Sequence, residues 1–305
     1  MFNGAIAFPV TPFQSDGSVD IAGVRSNLEM IASSGVASIV APSGTGELFS
    51  LTEAECSAIT KASVEAANKR KPVIASVGFG PRAASELARS AEANGADGIL
   101  VLPPYYQNPD ADGLFNYYMQ IARSTPLPFA VYARDAAYFT PDLVERLAKD
   151  APTFAAFKDG RGDIRTFMRI REYVIDRLGP GRLAWLGGVG DDLLAPYAAA
   201  GAEGFTSSMA CFWPEIAAEL WSTVKNDRAR FQEIHRTAIR PFYELRARKR
   251  GYEVSVMKAA TEILGYAAGP PRPPITAVSR SEYEEIRDLL KKLNVPTMKS
   301  RGALA

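Results

Sequence analysis

Histidine, cysteine and net charge are all scarce in this sequence. A single histidine, His235, in a chain of 305 residues leaves no His-based catalytic triad and no histidine-rich metal site to build. The two cysteines, Cys56 and Cys211, have neither the spacing of a zinc site nor the number of a disulfide framework. Lys plus Arg number 35 against 34 Asp plus Glu, a net charge of +1, so the composition carries no footprint for nucleic acid or an anionic membrane surface. No apolar run approaches the ~20 residues that a membrane-spanning helix needs, and Met1-Phe2-Asn3-Gly4 has no basic n-region. A cytoplasmic protein with small-molecule partners, and with no nucleic acid and no membrane among them, is the expectation. Gly-x-Gly-x-x-Gly is also missing after the first apolar run, which counts against the main competing fold, a doubly wound dinucleotide-binding sheet.

What the chain does have is 47% hydrophobic residues, arranged mostly as short, near-continuous apolar runs. Eight such runs follow helical patterns, near Ile6, Ile39, Ile74, Ile99, Val131, Phe154, Trp185 and Phe205. Continuous rather than alternating apolar character is what parallel strands covered on both faces show. A helix-Gly-strand joint recurs at Gly35, Gly95 and Gly201, with each glycine expected in the left-handed residue after a helix. Thr52 with Glu55 reads as a capping box and Thr140-Pro141 as an N-cap with Pro in the first turn. Recurrent βα units over residues 1–225 predict an α/β fold, a TIM (β/α)8 barrel. Residues 226–305 predict a C-terminal three-helix extension packed on the barrel, with helical patterns near 228–248, 255–264 and 281–293 and a frayed end from Thr297.

Barrel enzymes place their chemistry at the carboxyl ends of the strands. There the sequence puts Ser43-Gly44-Thr45-Gly46-Glu47, Tyr105-Tyr106, Tyr132-Ala133-Arg134-Asp135, Lys158-Asp159-Gly160, Gly187-Gly188 and Ser207-Ser208. A lysine just past a strand is ordinarily a solvated surface residue, a Gly-Thr-Gly is ordinarily a turn, and paired tyrosines ordinarily pack. Convergence changes the balance: an amine that desolvation would neutralise, a phenol to relay protons and a hydroxyl loop suited to a carboxylate face one cavity. This is the tool set for Schiff-base chemistry on a 2-oxo acid.

The runs Phe8-Pro9-Val10-Thr11-Pro12-Phe13, Gly44 to Thr52, Tyr132, Phe157-Lys158-Asp159-Gly160 and Gly251 to Lys258 together resemble the dihydrodipicolinate synthase / N-acetylneuraminate lyase family, over essentially the whole chain. Ser43 to Glu47, Tyr132-x-Arg134-Asp135, Phe157 to Ile164 and Ser207-Ser208 look most like its branch that dehydrates and decarboxylates a keto sugar diacid. The resemblance implies Lys158 as the imine-forming residue and Tyr132 as the proton shuttle, with no metal and no cofactor beyond the covalent imine. It implies that Gly44, Thr45 and Gly46 hold the carboxylate beside the imine, and that a homo-oligomer, dimer or tetramer, lets Tyr106 reach a neighbouring subunit. Gly187, Ser207 and Ser208 are further substrate-binding candidates, and Arg134 is one for the distal carboxylate, with an ion pair to Asp135 or Asp159 as its alternative role. Two residues depart from pattern. Gly44 replaces a threonine of the synthase branch, which breaks that branch's hydroxyl relay, and Ala133 replaces the asparagine usual in the dehydrating branch. An aldolase for 2-keto-3-deoxy sugar acids, a synthase-like lyase and a catalytically silent sugar-acid-binding barrel stay open as alternatives.

Overall fold

In the computed structural model, which describes residues 1–302, eight strands pair in sequence order and β8 returns to β1, closing a parallel barrel. The strands are β1 Gly4–Ala7, β2 Ser38–Val40, β3 Val73–Phe79, β4 Gly98–Pro104, β5 Phe129–Ala133, β6 Phe154–Asp159, β7 Ala184–Gly187 and β8 Gly204–Ser207. Helices α1 Ile21–Ala32, α2 Glu53–Ala67, α3 Pro81–Ala93, α4 Ala111–Ala122, α5 Pro141–Asp150, α6 Ile164–Leu178, α7 Leu194–Ala199 and α8 Pro214–Asn226 follow the strands in turn. Closure rules out the open doubly wound sheet.

Because a strand alternates its side chains, each contributes to two cores. Phe2, Ile6, Phe8, Val40, Ile74, Leu100, Ala130, Ala156 and Leu186 fill the barrel interior. Residues such as Ile39, Val131, Phe157, Trp185 and Phe205 point outward into the layer between sheet and helices. The apolar runs look continuous because both faces are covered. The same alternation fixes what lies above the interior: two residues beyond Ala130 comes Tyr132, two beyond Ala156 comes Lys158, and two beyond Leu186 comes Gly188.

The expected helix starts are present. Thr52 and Glu55 form a reciprocal capping box, and the Thr140 hydroxyl accepts from Leu143 N. Gly95 and Gly201 take left-handed φ values of 81° and 87°, but Gly35 does not. A Cβ at Gly35 would lie 3.0 Å from the Ala218 Cβ, so this glycine serves close packing of α8 rather than a left-handed cap.

Beyond β8 the tail is more elaborate than three helices. The first pattern is divided into α9 Arg228–Ile234 and α10 Arg240–Ala247 by a π-helical stretch, His235–Ile239. Then come α11 Tyr252–Ile263 and α12 Arg280–Lys292. Where a frayed end was expected, α13 Met298–Gly302 docks: Met298 N donates to Leu264 O, and Arg301 pairs with Glu215 of α8. Residues 303–305 of that expected end lie outside the described residues. No helix among the described residues is long and apolar enough to cross a membrane.

Candidate active site

Lys158 and Tyr132 are register partners on adjacent strands, so their inward side chains stand side by side above the filled interior. Lys158 is only 2% exposed, and its Nζ lies 3.1 Å from the centre of the Tyr132 ring. Both groups use the same acceptor, the Gly188 carbonyl: Lys158 Nζ donates at 3.2 Å and the Tyr132 hydroxyl at 3.4 Å. Two glycines make this geometry possible. A Cβ at Gly188 would lie 2.5 Å from Asp159 O and 2.6 Å from Lys158 Cγ. One at Gly160 would lie 2.2 Å from Tyr132 Cε2. The glycine of Lys158-Asp159-Gly160 therefore makes room for the tyrosine ring.

The electrostatics follow from burial. Desolvation lowers the Lys158 pKa from 10.5 to about 8, against the opposing pull of Tyr132, which raises the neutral fraction at pH 7 to about a tenth, far above that of an ordinary lysine. Burial alone would raise the Tyr132 phenol, but the positive charges of Lys158 and Arg134 outweigh it and hold the phenol below its ordinary value. Arg134 Nη1 donates to the Tyr132 hydroxyl at 3.2 Å, and its Nε lies 3.4 Å from an Asp135 carboxylate oxygen. Asp159 points away from the amine: its carboxylate accepts from the Tyr197 hydroxyl, and burial raises its pKa.

These groups open into a cavity of about 310 Å³ whose walls include Phe8, Gly44, Thr45, Tyr132, Arg134, Lys158, Gly188, Thr206, Ser208 and Arg246. The Gly44-Thr45 wall rests on a built loop. The Ser43 hydroxyl accepts from Gly46 N at 2.9 Å, and Thr11 Oγ1 donates to Gly46 O at 2.8 Å. Glu47, at a left-handed φ of 57°, is fully buried, with Oε1 2.8 Å from Lys258 Nζ and Oε2 accepting from Arg272 N. Lys258 and Arg272 also lie over the Phe13 ring, at 4.0 and 4.3 Å. The early Phe8-to-Phe13 run thus supplies a cavity wall at Phe8, a loop anchor at Thr11 and a cation platform at Phe13.

Of the ten residues singled out from sequence, six line the cavity: Lys158, Tyr132, Gly44, Thr45, Arg134 and Ser208. The other four lie elsewhere. Gly46 sits behind the loop with both backbone polar groups occupied. Gly187 faces outward, where a Cβ would lie 2.8 Å from the Tyr197 ring; alternation brings Gly188 to the cavity instead. Ser207 is fully buried and donates to Asp191. Tyr106 is 82% exposed and borders, with Phe49, Tyr105 and Tyr138, a surface cavity that adjoins the Lys158 cavity along Gly44, Phe49, Leu102, Pro103 and Asp135. Gly188 was legible from the two-residue period of β7. Arg246 and Glu253 were not, because they reach the cavity from α10 and α11, beyond the barrel.

Comparison with known proteins agrees with this geometry. The model of the dihydrodipicolinate synthetase family matches residues 1–293. A probable 5-dehydro-4-deoxyglucarate dehydratase from Bradyrhizobium diazoefficiens is 38% identical over 95% of this chain and 92% of its own. One from Ralstonia nicotianae is 38% identical over 95% and 93%. Among solved structures, dihydrodipicolinate synthase from Bacillus clausii superposes with a TM-score of 0.88 at 27% identity, covering 96% of this chain and 98% of its own. The enzyme from Aquifex aeolicus gives 0.87 at 28%, covering 97% and 100%. With the closed barrel and the near-full-length matches in agreement, the chain belongs to the dihydrodipicolinate synthetase family.

Proposed function

We propose that this protein is a decarboxylating dehydratase that converts 5-dehydro-4-deoxyglucarate to 2,5-dioxopentanoate, water and carbon dioxide through an imine on Lys158. The observation that carries the reading is the buried, partly neutral Lys158 amine beside the Tyr132 phenol, in a protein whose similar full-length relatives bear that dehydratase name. Lys158 attacks the oxo carbon, and water leaves as the iminium forms. The iminium acidifies the adjacent methylene; loss of its proton gives an enamine that expels the β-hydroxyl, with Tyr132 delivering the proton to the leaving oxygen. The resulting unsaturated iminium is conjugated toward the distal end. There the carboxylate departs as carbon dioxide and its bonding electrons flow to the nitrogen. Reprotonation of the carbon chain and hydrolysis release the five-carbon product and the free amine. One nitrogen serves as electron sink for both eliminations, and no further cofactor enters the scheme.

Gly44 supports this reading over the synthase reaction. A Cβ there would meet nothing within 4 Å, so space exists for a hydroxyl-bearing side chain that the sequence does not supply. The exposed rings of Phe49, Tyr105, Tyr106 and Tyr138 support assembly as a homo-oligomer, with Tyr106 available to a neighbour. Product analysis tests the reaction: one carbon dioxide and one 2,5-dioxopentanoate per substrate consumed are expected. Pyruvate in place of carbon dioxide would instead mark an aldolase.

A further inference from the structure

We propose that Arg246 receives the distal carboxylate of the substrate and makes the cavity select 2-oxo diacids over 2-oxo sugar monoacids; the inference rests on the diacid reading above. Two arginines line the cavity, and they differ in how much of their charge the protein already uses. Arg134 is half exposed, hydrogen-bonded to Tyr132 and paired with Asp135. Its work is on the phenol. Arg246 is more enclosed, and it has no carboxylate within ion-pair distance among the described residues. Of the five N–H donors a guanidinium carries, one is used, by Nη1 to Ser208 Oγ at 2.7 Å.

The arginine is nonetheless held in place. Its guanidinium carbon stacks 4.2 Å from the centre of the Tyr243 ring. Tyr243 is fixed in turn: its hydroxyl donates to Asp191 Oδ2 at 2.8 Å and accepts from Asp191 N at 2.6 Å. Asp191, the nearby acid that would otherwise neutralise Arg246, instead accepts from the Ser207 and Tyr243 hydroxyls, and burial pushes its pKa up. Gly190 admits the arrangement, since a Cβ there would lie 2.4 Å from the Tyr243 hydroxyl. The result is a rigid guanidinium beside a serine hydroxyl on the β7–β8 side of the mouth, with Asp191 and Asp192 acting on it from beyond ion-pair distance and no carboxylate in contact among the described residues. A partly desolvated cation in this state is costly until an anion arrives. A carboxylate offers bidentate geometry and charge together. A terminal hydroxymethyl group in its place leaves the charge uncompensated, and a site built around a polar partner discriminates strongly against an analogue that lacks it.

The test compares imine formation on Lys158, trapped with borohydride, by 5-dehydro-4-deoxyglucarate and by the 2-keto-3-deoxy monoacid that ends in a hydroxymethyl group. The wild-type enzyme should favour the diacid by roughly 10²-fold or more in apparent affinity. Arg246→Gln should collapse that preference to within a few-fold of unity, and Arg246→Lys should restore part of it. Ser208→Ala, which removes only the orienting bond, should reduce it several-fold and guards against a folding defect in the arginine variants. Arg134→Gln should keep the preference while shifting the pH profile of the reaction through Tyr132. A preference that survives Arg246→Gln, or that disappears in Arg134→Gln, overturns the assignment. If the wild-type enzyme converts the diacid and releases carbon dioxide, such a result leaves the proposed reaction standing. If wild type forms no imine with the diacid, reaction and assignment fall together.

Discussion

At the scale of single residues, burial places the Lys158 amine where its charge is costly and so favours the neutral form that the proposed imine chemistry needs. The drop of the Lys158 pKa from 10.5 to about 8 corresponds to roughly 3 kcal/mol at 1.36 kcal/mol per pH unit. Below pH 8 the folded chain bears that whole cost of holding an ammonium. Between pH 8 and about 10.4, the value for a lysine in an unfolded chain, the cost declines, and above that range it is gone. Lys158→Met is therefore expected to be inactive yet more stable than wild type at pH 7, by up to about 3 kcal/mol in denaturant unfolding. The gain should vanish above pH 10.4; a gain that is flat with pH would assign it to packing. The glycines that seat the pair make a second prediction. Gly160→Ala drives a methyl group into the Tyr132 ring, and loss of alignment on the order of 1 Å lowers turnover about 10²-fold. The drop should exceed any change in melting temperature, and wild-type turnover in this variant would contradict the placement of the ring.

At the scale of elements, the tail does more than cover the barrel. Lys258 of α11 and Glu47 of the loop after β2 form a buried ion pair, with Lys258 3% and Glu47 0% exposed at the side chain. The pair holds a non-glycine residue at left-handed φ and, through it, the Gly44-Thr45 wall. Removing one partner leaves a buried charge, so Lys258→Met should cost about 3–5 kcal/mol. The double variant Glu47→Gln/Lys258→Met should recover most of that loss, and the two denaturation curves check it. Little of this was legible in the sequence. Strand ends can be read from apolar runs and two-residue alternation, which is why Lys158, Tyr132 and Thr45 were found on the cavity. A side chain such as Arg246, delivered from a helix after the barrel, leaves no periodic mark near the strands it will face. Its place depends on how α10 packs, and the sequence pattern there shows only amphipathic helix. The left-handed reading of Gly35 failed for a related reason: its glycine answers a tertiary contact with Ala218, which no local motif encodes.

At the scale of the whole molecule, one fold brings residues far apart in the chain to a single cavity. Phe8, Thr45, Tyr132, Lys158, Thr206 and Arg246 come from β1, β2, β5, β6, β8 and the tail or the loops that follow them. The barrel was the most legible feature, since eight covered strands impose eight apolar runs; the docked terminus at Met298–Gly302 was the least, because five residues give too short a pattern to read. In the proposed reaction this cavity forms an imine at Lys158. Borohydride reduction in the presence of 5-dehydro-4-deoxyglucarate, followed by peptide mass mapping, tests it most directly. A substrate-derived adduct on the peptide containing Lys158, absent in Lys158→Met and forming faster as pH rises through 8, is the predicted result. Turnover of the substrate with no adduct on Lys158 would contradict the account.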